Sequence, residues 1–170
     1  GGSIHIESVS GDTVIQGLVS ATGDEQGGAI HVLGDRVGLF NAATVDASGH
    51  DGGGEVLIGG DFQGANPDIS NASQTVVGDN AIVRANSARS GDGGTVIVWS
   101  DEYTSFTGRA EAKGGAIEGD GGFIEISGKE SLKFAGEAAA SAEQGAAGTV
   151  LFDPKNIDIN DAGGAAVASN

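Results

Sequence analysis

Acidic side chains recur in this sequence shortly before successive pairs of glycines. The four positions are Asp24, Asp51, Asp92 and Asp120. Carboxylate oxygens gathered in turns are ligands that Ca²⁺ accepts in proteins, so these residues are candidate calcium ligands. The simpler interpretation is a row of solvated, charged corners. The glycine- and aspartate-rich nonapeptide that binds Ca²⁺ in some β-helices is absent, and we therefore expect no cofactor, with calcium as the alternative.

Two further pairs of side chains have the types that chemistry needs. His5 and His31 occupy equivalent places in two copies of a repeated phrase, but two histidines without a third ligand make a weak metal site. Glu125 and Asp153 are the best acid pair for glycoside hydrolysis, which needs two carboxyl groups within reach of one bond. No basic cluster accompanies them, and the nucleophile-elbow spacing is absent. We expect no enzymatic activity, with a polysaccharide-active enzyme as the least favoured alternative.

The composition excludes several classes of partner. The formal net charge is −16 over 170 residues, which disfavours nucleic acid and anionic membrane surfaces because both bind clustered Lys and Arg. No apolar run approaches the roughly 20 residues of a transmembrane helix. Gly supplies 32 residues, Pro supplies 2 and Cys supplies none. The chain therefore needs many turns and no disulfide bond.

A short phrase repeats along the chain, and it predicts the fold. A Gly pair followed by alternating apolar and polar residues begins at Gly1, Gly27, Gly53, Gly93 and Gly121, with a degenerate copy at Ala147. Alternation with a period of two indicates strands that bury one face. Turn residues divide each repeat into three short strands. A single coil buries too little apolar surface to offset its ordering entropy, so the coils must stack.

The predicted fold is therefore all-β: a right-handed parallel β-helix of about six coils with three short strands per coil. The coils start near residues 1, 27, 53, 93, 121 and 147, and residues 1–160 form one domain. Residues 161–170 are small and polar, which predicts a tail or the start of another region.

Residues 60–74 interrupt the repeat and are predicted to form an insertion. Outward positions of the first strands near it carry apolar side chains, which need a cover or a partner. We expect Phe62 and Ile69 to fold back over Leu57 and Ile97; otherwise this face contacts another chain. The full set of candidate interaction residues is Leu57, Phe62, Ile69, Ile97, Trp99, Phe123 and Leu151.

The C-terminal part of the chain resembles the filamentous-haemagglutinin-like exoproteins of two-partner secretion systems. The matching text is Gly93-Gly-Thr-Val-Ile-Val-Trp99-Ser-Asp101, Thr104-Ser-Phe-Thr-Gly108, Ala112-Lys-Gly-Gly115, Gly119-Asp-Gly-Gly-Phe-Ile-Glu-Ile-Ser-Gly128 and Gly148-Thr-Val-Leu-Phe-Asp-Pro-Lys-Asn156. Residues 1–92 look like earlier coils of the same kind. The Asn-Pro-Asn-Leu type of motif that marks the family's secretion domain is absent, and only Asn66-Pro67 lies in the insertion.

The resemblance implies a non-catalytic, adhesive stalk segment of a large secreted surface protein. It implies export through a dedicated outer-membrane transporter and a location outside, or on the outer surface of, a Gram-negative-type bacterium. The remaining expected partners are host or neighbouring cell surfaces or their glycans. The alternative is a subunit of an extracellular filament that self-associates by end-to-end stacking of coils.

Overall fold

The computed structural model describes residues 1–160, which form seventeen short strands. The strands are β1 Ser3–Glu7, β2 Asp12–Ile15, β3 Leu18–Ser20, β4 Ala29–Leu33, β5 Arg36–Leu39, β6 Thr44–Asp46, β7 Glu55–Ile58, β8 Gln74–Val77, β9 Ile82–Arg84, β10 Thr95–Val98, β11 Tyr103–Phe106, β12 Arg109–Glu111, β13 Phe123–Ile126, β14 Ser131–Phe134, β15 Glu137–Ala139, β16 Thr149–Leu151 and β17 Asn156–Ile159. One 3₁₀ turn, Phe62–Gly64, lies between β7 and β8. The predicted polar tail lies outside the described residues.

The strands form three parallel sheets, and each coil contributes successive strands to successive sheets. The first sheet runs β1-β4-β7-β10-β13-β16, the second β2-β5-β8-β11-β14-β17, and the third β3-β6-β9-β12-β15. This arrangement confirms the predicted all-β solenoid of about six coils with three strands per coil. Within residues 1–160, the sixth coil adds no strand to the third sheet. No helix in this part of the chain has the length and apolar character needed to cross a membrane.

Equivalent residues of successive coils lie directly over one another. In the first sheet, Ile30 pairs with Val56, which pairs with Val96, which pairs with Ile124. All four of these side chains are fully buried. Because the side chains of a strand alternate between its two faces, this register places one aliphatic column inside the solenoid and leaves the next column outside. Stacked β-branched residues suit such a pleated wall.

The inward side chains change in size from coil to coil, and the interior of the solenoid stays densely packed. In the second sheet the inward column passes from Val77 to Phe106 and Phe134, whose rings stack with centroids 5.7 Å apart. In the third sheet the inward column changes at the same coil from Val83 to Ala110. A larger residue on one wall is thus matched by a smaller one on the facing wall, which preserves dense packing.

The Gly pairs of the third, fourth and fifth coils stand where the backbone of the preceding coil approaches closely. A Cβ built on Gly94 would lie 2.0 Å from the carbonyl oxygen of Gly54, and this oxygen accepts a hydrogen bond from the Thr95 amide at 2.9 Å. The Gly94 amide donates to the Ala85 carbonyl at 2.7 Å and so closes the base of its own corner. Neither Gly54 nor Gly94 has a positive φ. Close approach of the backbones, rather than an unusual backbone conformation, is therefore the reason for these glycines.

We expect Gly94→Ala to destabilise the protein strongly, because the new methyl group forces the third and fourth coils apart and weakens their ladder. Overpacking of this kind costs about 1–3 kcal/mol or more. Urea unfolding followed by circular dichroism measures the change. Gly17→Ala is the matched control, since a Cβ there meets no atom within 4 Å. Equal stability of the two variants would show that close approach does not explain the repeated pair.

Candidate functional site

The segment between β7 and β8, residues 59–73, crosses the outer face of the first sheet; we call it the strap. Near one end, Ser70 Oγ donates to Glu7 Oε1 at 3.0 Å, in the first coil. Near the other end, Gln63 Nε2 donates to Asp153 Oδ2 at 3.0 Å, just after the first strand of the sixth coil. The strap begins and ends in the third coil, but its hydrogen bonds reach from the first coil to the sixth. It therefore ties the coils together along the axis.

A small second core lies beneath the strap. Leu57, Ile97 and Trp99 point outward from the first sheet, yet they are almost completely buried, and Ile69 of the strap packs on them. Trp99 is only 4% exposed, and its Nε1 donates to Asp101 Oδ1 at 3.3 Å. This cluster is therefore closed to other chains while the strap is in place, which removes the three sheet residues from the predicted interaction face.

The strap has a defined internal structure. Asp61 caps the 3₁₀ turn by accepting from the amide of Phe62, and its other oxygen accepts from Asn66 Nδ2, both at 2.6 Å. Asn71 Nδ2 donates to the carbonyl of Gly64 at 3.0 Å. Gly64 has φ +59°, and a Cβ there would lie 2.5 Å from Trp99 Nε1. Glycine is needed at this position both for its conformation and for the space that the indole occupies.

The two large apolar side chains of the strap, Phe62 and Ile69, lie in different places. Ile69 lies on the cluster below it, as the sequence analysis expects. Phe62 instead packs edge-on against Phe123 in the fifth coil, with ring centroids 5.8 Å apart, and remains 45% exposed. The 3₁₀ turn places the ring of Phe62 against the fifth coil, and the expectation that it also covers Leu57 and Ile97 stays a prediction. Leu151, the last member of the predicted face, is half-buried.

Glu125 lies under the strap, and its carboxyl group is unusual. The residue is fully buried; Oε2 accepts from the amide of Gln63 at 3.1 Å, and Oε1 has no hydrogen-bond partner. Burial raises the pKa of Glu125, and the negative charges of Asp153 and Asp61 raise it further against hydrogen bonds from Gln63 and Ser127. Gln63 contacts both members of the acid pair, Glu125 through its amide and Asp153 through its side chain.

Three of the four candidate calcium residues bond through their carboxylates to backbone amides or to arginine. Asp92 Oδ1 accepts from the amide of Asp120 at 2.7 Å, and Asp120 Oδ1 accepts from the amide of Ala146 at 2.8 Å. Asp51 pairs with Arg89 at 3.0 Å. All four candidate aspartates, Asp24 included, are exposed. Among residues 1–160, no three Asp, Glu or His side chains are grouped so that they could hold a metal ion.

The two histidines also bond to separate partners and do not share one. The rings of His5 and His31 meet edge-on with centroids 6.0 Å apart. Each ring has its own carboxylate partner: His5 Nε2 lies 3.0 Å from Glu7 Oε2, and His31 Nε2 lies 3.1 Å from Glu55 Oε1. The two histidines are thus adjacent, but each faces a neighbouring glutamate.

The sequence analysis missed a polar network on the outer face of the third sheet. Asp46 pairs with Arg84 at 2.8 Å, and Glu111 pairs with Lys113 at 2.7 Å and accepts from Asn86 Nδ2 at 3.1 Å. Burial alone would raise the pKa of both acids, but these hydrogen bonds hold the pKa of each below its ordinary value. A cleft of about 360 Å³ lies beside the network. Aligning the sequences of the third strand of each coil would have shown this column of charged residues, because Asp46 and Glu111 both pair with Arg84.

The corner aspartates lead to a prediction about calcium. Because Asp92 caps an amide of the next coil, we expect Asp92→Ala to cost about 1 kcal/mol of stability, whereas a calcium chelator should leave the melting temperature of the wild type unchanged. Asp24→Ala is the matched control, as Asp24 caps no neighbouring amide within the described residues. A fall in melting temperature on chelation would contradict this account and restore the calcium alternative.

Comparison with known proteins shows what the fold is similar to. No protein-family model and no curated protein matches the chain. Among solved structures, the chain is similar to the HMW1 secretion domain from Haemophilus influenzae, with 27% sequence identity and a TM-score of 0.59. The match covers 94% of this chain and 42% of the other, so the chain spans less than half of that domain's structure. The described residues are thus a three-sheet β-solenoid similar to a bacterial secretion domain.

Proposed function

We propose that this chain is a structural and adhesive segment of a secreted bacterial exoprotein. The observation that carries the proposal is the similarity to the HMW1 secretion domain over 94% of the chain. The resemblance of residues 93–159 to filamentous-haemagglutinin-like exoproteins points in the same direction. In this proposal the parent protein leaves the cell through the outer-membrane transporter of a two-partner secretion system, and the segment lies outside the cell or on its outer surface.

The work of the segment is mechanical and non-catalytic. Three continuous parallel ladders and a strap across six coils make a rod in which each coil is held by its neighbours. The acid pair, Glu125 and Asp153, is occupied by Gln63 of the strap. The net charge of −16 favours solubility and disfavours nucleic acid. Adhesion to cell surfaces or glycans would then use the loops and the exposed edge of the strap around Phe62.

The position within the parent protein is also part of the proposal. The absence of an Asn-Pro-Asn-Leu motif favours a stalk, whereas the similar solved structure is a secretion domain. A stalk built from the same coil as a secretion domain accounts for both observations, because stacked coils of one type can continue along an axis.

A filament subunit is the second candidate, and one observation favours it. Ile157 and Ile159 of β17 stack on Leu132 and Phe134 of the core wall, yet they are 46% and 60% exposed. The outer edge of β17 has no strand partner within residues 1–160, and exposed apolar side chains on such an edge strand are suited to receive another coil. The occupant is either a further coil of the same parent protein or the first coil of a second copy.

Immunogold electron microscopy of cells that produce the parent protein tests the proposal. We expect antibodies against residues 1–160 to label intact, unpermeabilised cells or their medium. Labelling only after permeabilisation would overturn the proposed export. Fibres of uniform width that lengthen with the concentration of the purified segment would favour the filament. Release of reducing sugar ends from polysaccharide would contradict the non-catalytic assignment.

A further inference from the structure

Glu125 places a carboxyl group in a column whose neighbouring side chains are aliphatic. In the outward column of the first sheet, Glu125 lies between Ile97 of β10 and Leu151 of β16. Leu57 precedes Ile97 in the same column. The strap covers the carboxyl group completely, so its ionised form has lost the water that would solvate it. Burying a charge here is costly unless a partner compensates for it.

Within residues 1–160, no positively charged side chain bonds to Glu125 and supplies that compensation. The strap contributes the amide of Gln63 and the carboxylate of Asp61, and the segment after β16 contributes the carboxylate of Asp153. The facing strand β10, Thr95–Val98, has no titratable side chain. Asp101, which follows β10, is bonded to Trp99 and Asn71. Every charged group that faces Glu125 from the elements packed against it is therefore an acid.

Burial and the acidic neighbours of Glu125 favour its protonated form over the ionised one. Oε2 accepts from the Gln63 amide at 3.1 Å, and a hydrogen bond from Ser127 opposes the rise in pKa, but Oε1 has no hydrogen-bond partner. In the ionised form, both oxygens carry negative charge and accept hydrogen bonds, and one of them has no donor. The neutral acid carries no charge that the strap must accommodate. Gln63 also bonds Asp153 through its side chain. Ionisation of Glu125 thus acts directly on the residue that holds this end of the strap.

We propose that Glu125 is a proton-binding site that controls the strap, which stays closed while the carboxyl group is protonated and loosens when it ionises. A proton that binds the closed strap better than the open one must favour closure by mass action. The two ends of the strap bond to neighbouring coils, but the backbone–backbone hydrogen bonds of residues 60–71 stay within the strap. This middle part can therefore open without unfolding the coils.

The direction of the pH dependence follows from burial. The pKa of Glu125 is raised above its ordinary value of 4.5 in the closed strap and returns toward that value in the open one. Its contribution to closure is therefore complete below the ordinary pKa and is lost as the pH rises through the raised pKa. Between these two pKa values the open-to-closed ratio rises about tenfold per pH unit. The third-sheet acids Asp46 and Glu111 bond away from the strap and have lowered pKa values. Their contribution is to the folding of the coils and not to closure, and it is present above their ordinary pKa values and lost as the pH falls through the lowered ones.

Trp99 offers a direct measurement, because it is the only tryptophan of the chain and lies beneath the strap. Acrylamide quenching of its fluorescence reports how often the strap opens. We expect the quenching constant of the wild type to rise with pH as a single-proton titration, while circular dichroism shows that the coils stay folded. Glu125→Gln, which is neutral at every pH, should quench weakly and independently of pH.

Two further variants complete the test. Glu111→Gln removes a buried acid of the third sheet, away from the strap, and should keep the wild-type titration. Asp153→Asn removes one repelling charge and should move the midpoint to lower pH. A flat wild-type profile, or a Glu125→Gln profile that still titrates like the wild type, would overturn the proposal. If Glu125→Gln fails to fold, Asp153→Asn decides: a shifted midpoint supports the proposal and an unchanged one overturns it.

Discussion

The contact between backbones at the glycine corners is the constraint on which the rest of this structure depends. Gly94 sits so close to the carbonyl of Gly54 that a Cβ would lie 2.0 Å from it, and the same carbonyl accepts the first amide of β10. This contact fixes the height of one coil over the next. Because side chains alternate along a strand, fixing the register at its start also decides which residues face the interior. The aliphatic columns, and the exchange of Val83 for Ala110 beside Phe106, follow from that register.

The same register explains why the first sheet needs the strap. Stacking places Leu57 and Ile97 in one outward column, with Trp99 beyond it, and three such side chains in water would form an apolar patch. The strap buries them and reaches the first and sixth coils through single hydrogen bonds. It is therefore both a cover for a local core and a brace along the axis. Glu125 is the exception in the column, and its burial leaves the strap dependent on whether a proton is bound.

Periodic features of this protein could be predicted from its sequence, and unrepeated ones could not. Alternating residues after each Gly pair predict the strands, their number per coil and the buried columns, since each feature is repeated in successive coils. The strap occurs once, so no repetition shows where Phe62 or Gln63 will lie. Their contacts in the fifth and sixth coils join residues up to 90 positions apart. Asp92 and Asp120 were visible as a series, but only the structure shows that each carboxylate caps an amide of the next coil.

The central claim is that stability comes from stacking between coils and not from any one sheet. Residue-resolved amide exchange of the native protein measures this most directly, because it reports the free energy of opening at each strand. We expect protection to follow the coils: the three strands of the fourth coil, β10, β11 and β12, exchange slowly together, and protection falls toward the two edge strands of every sheet. Protection that differs between sheets but stays constant along the axis would contradict it.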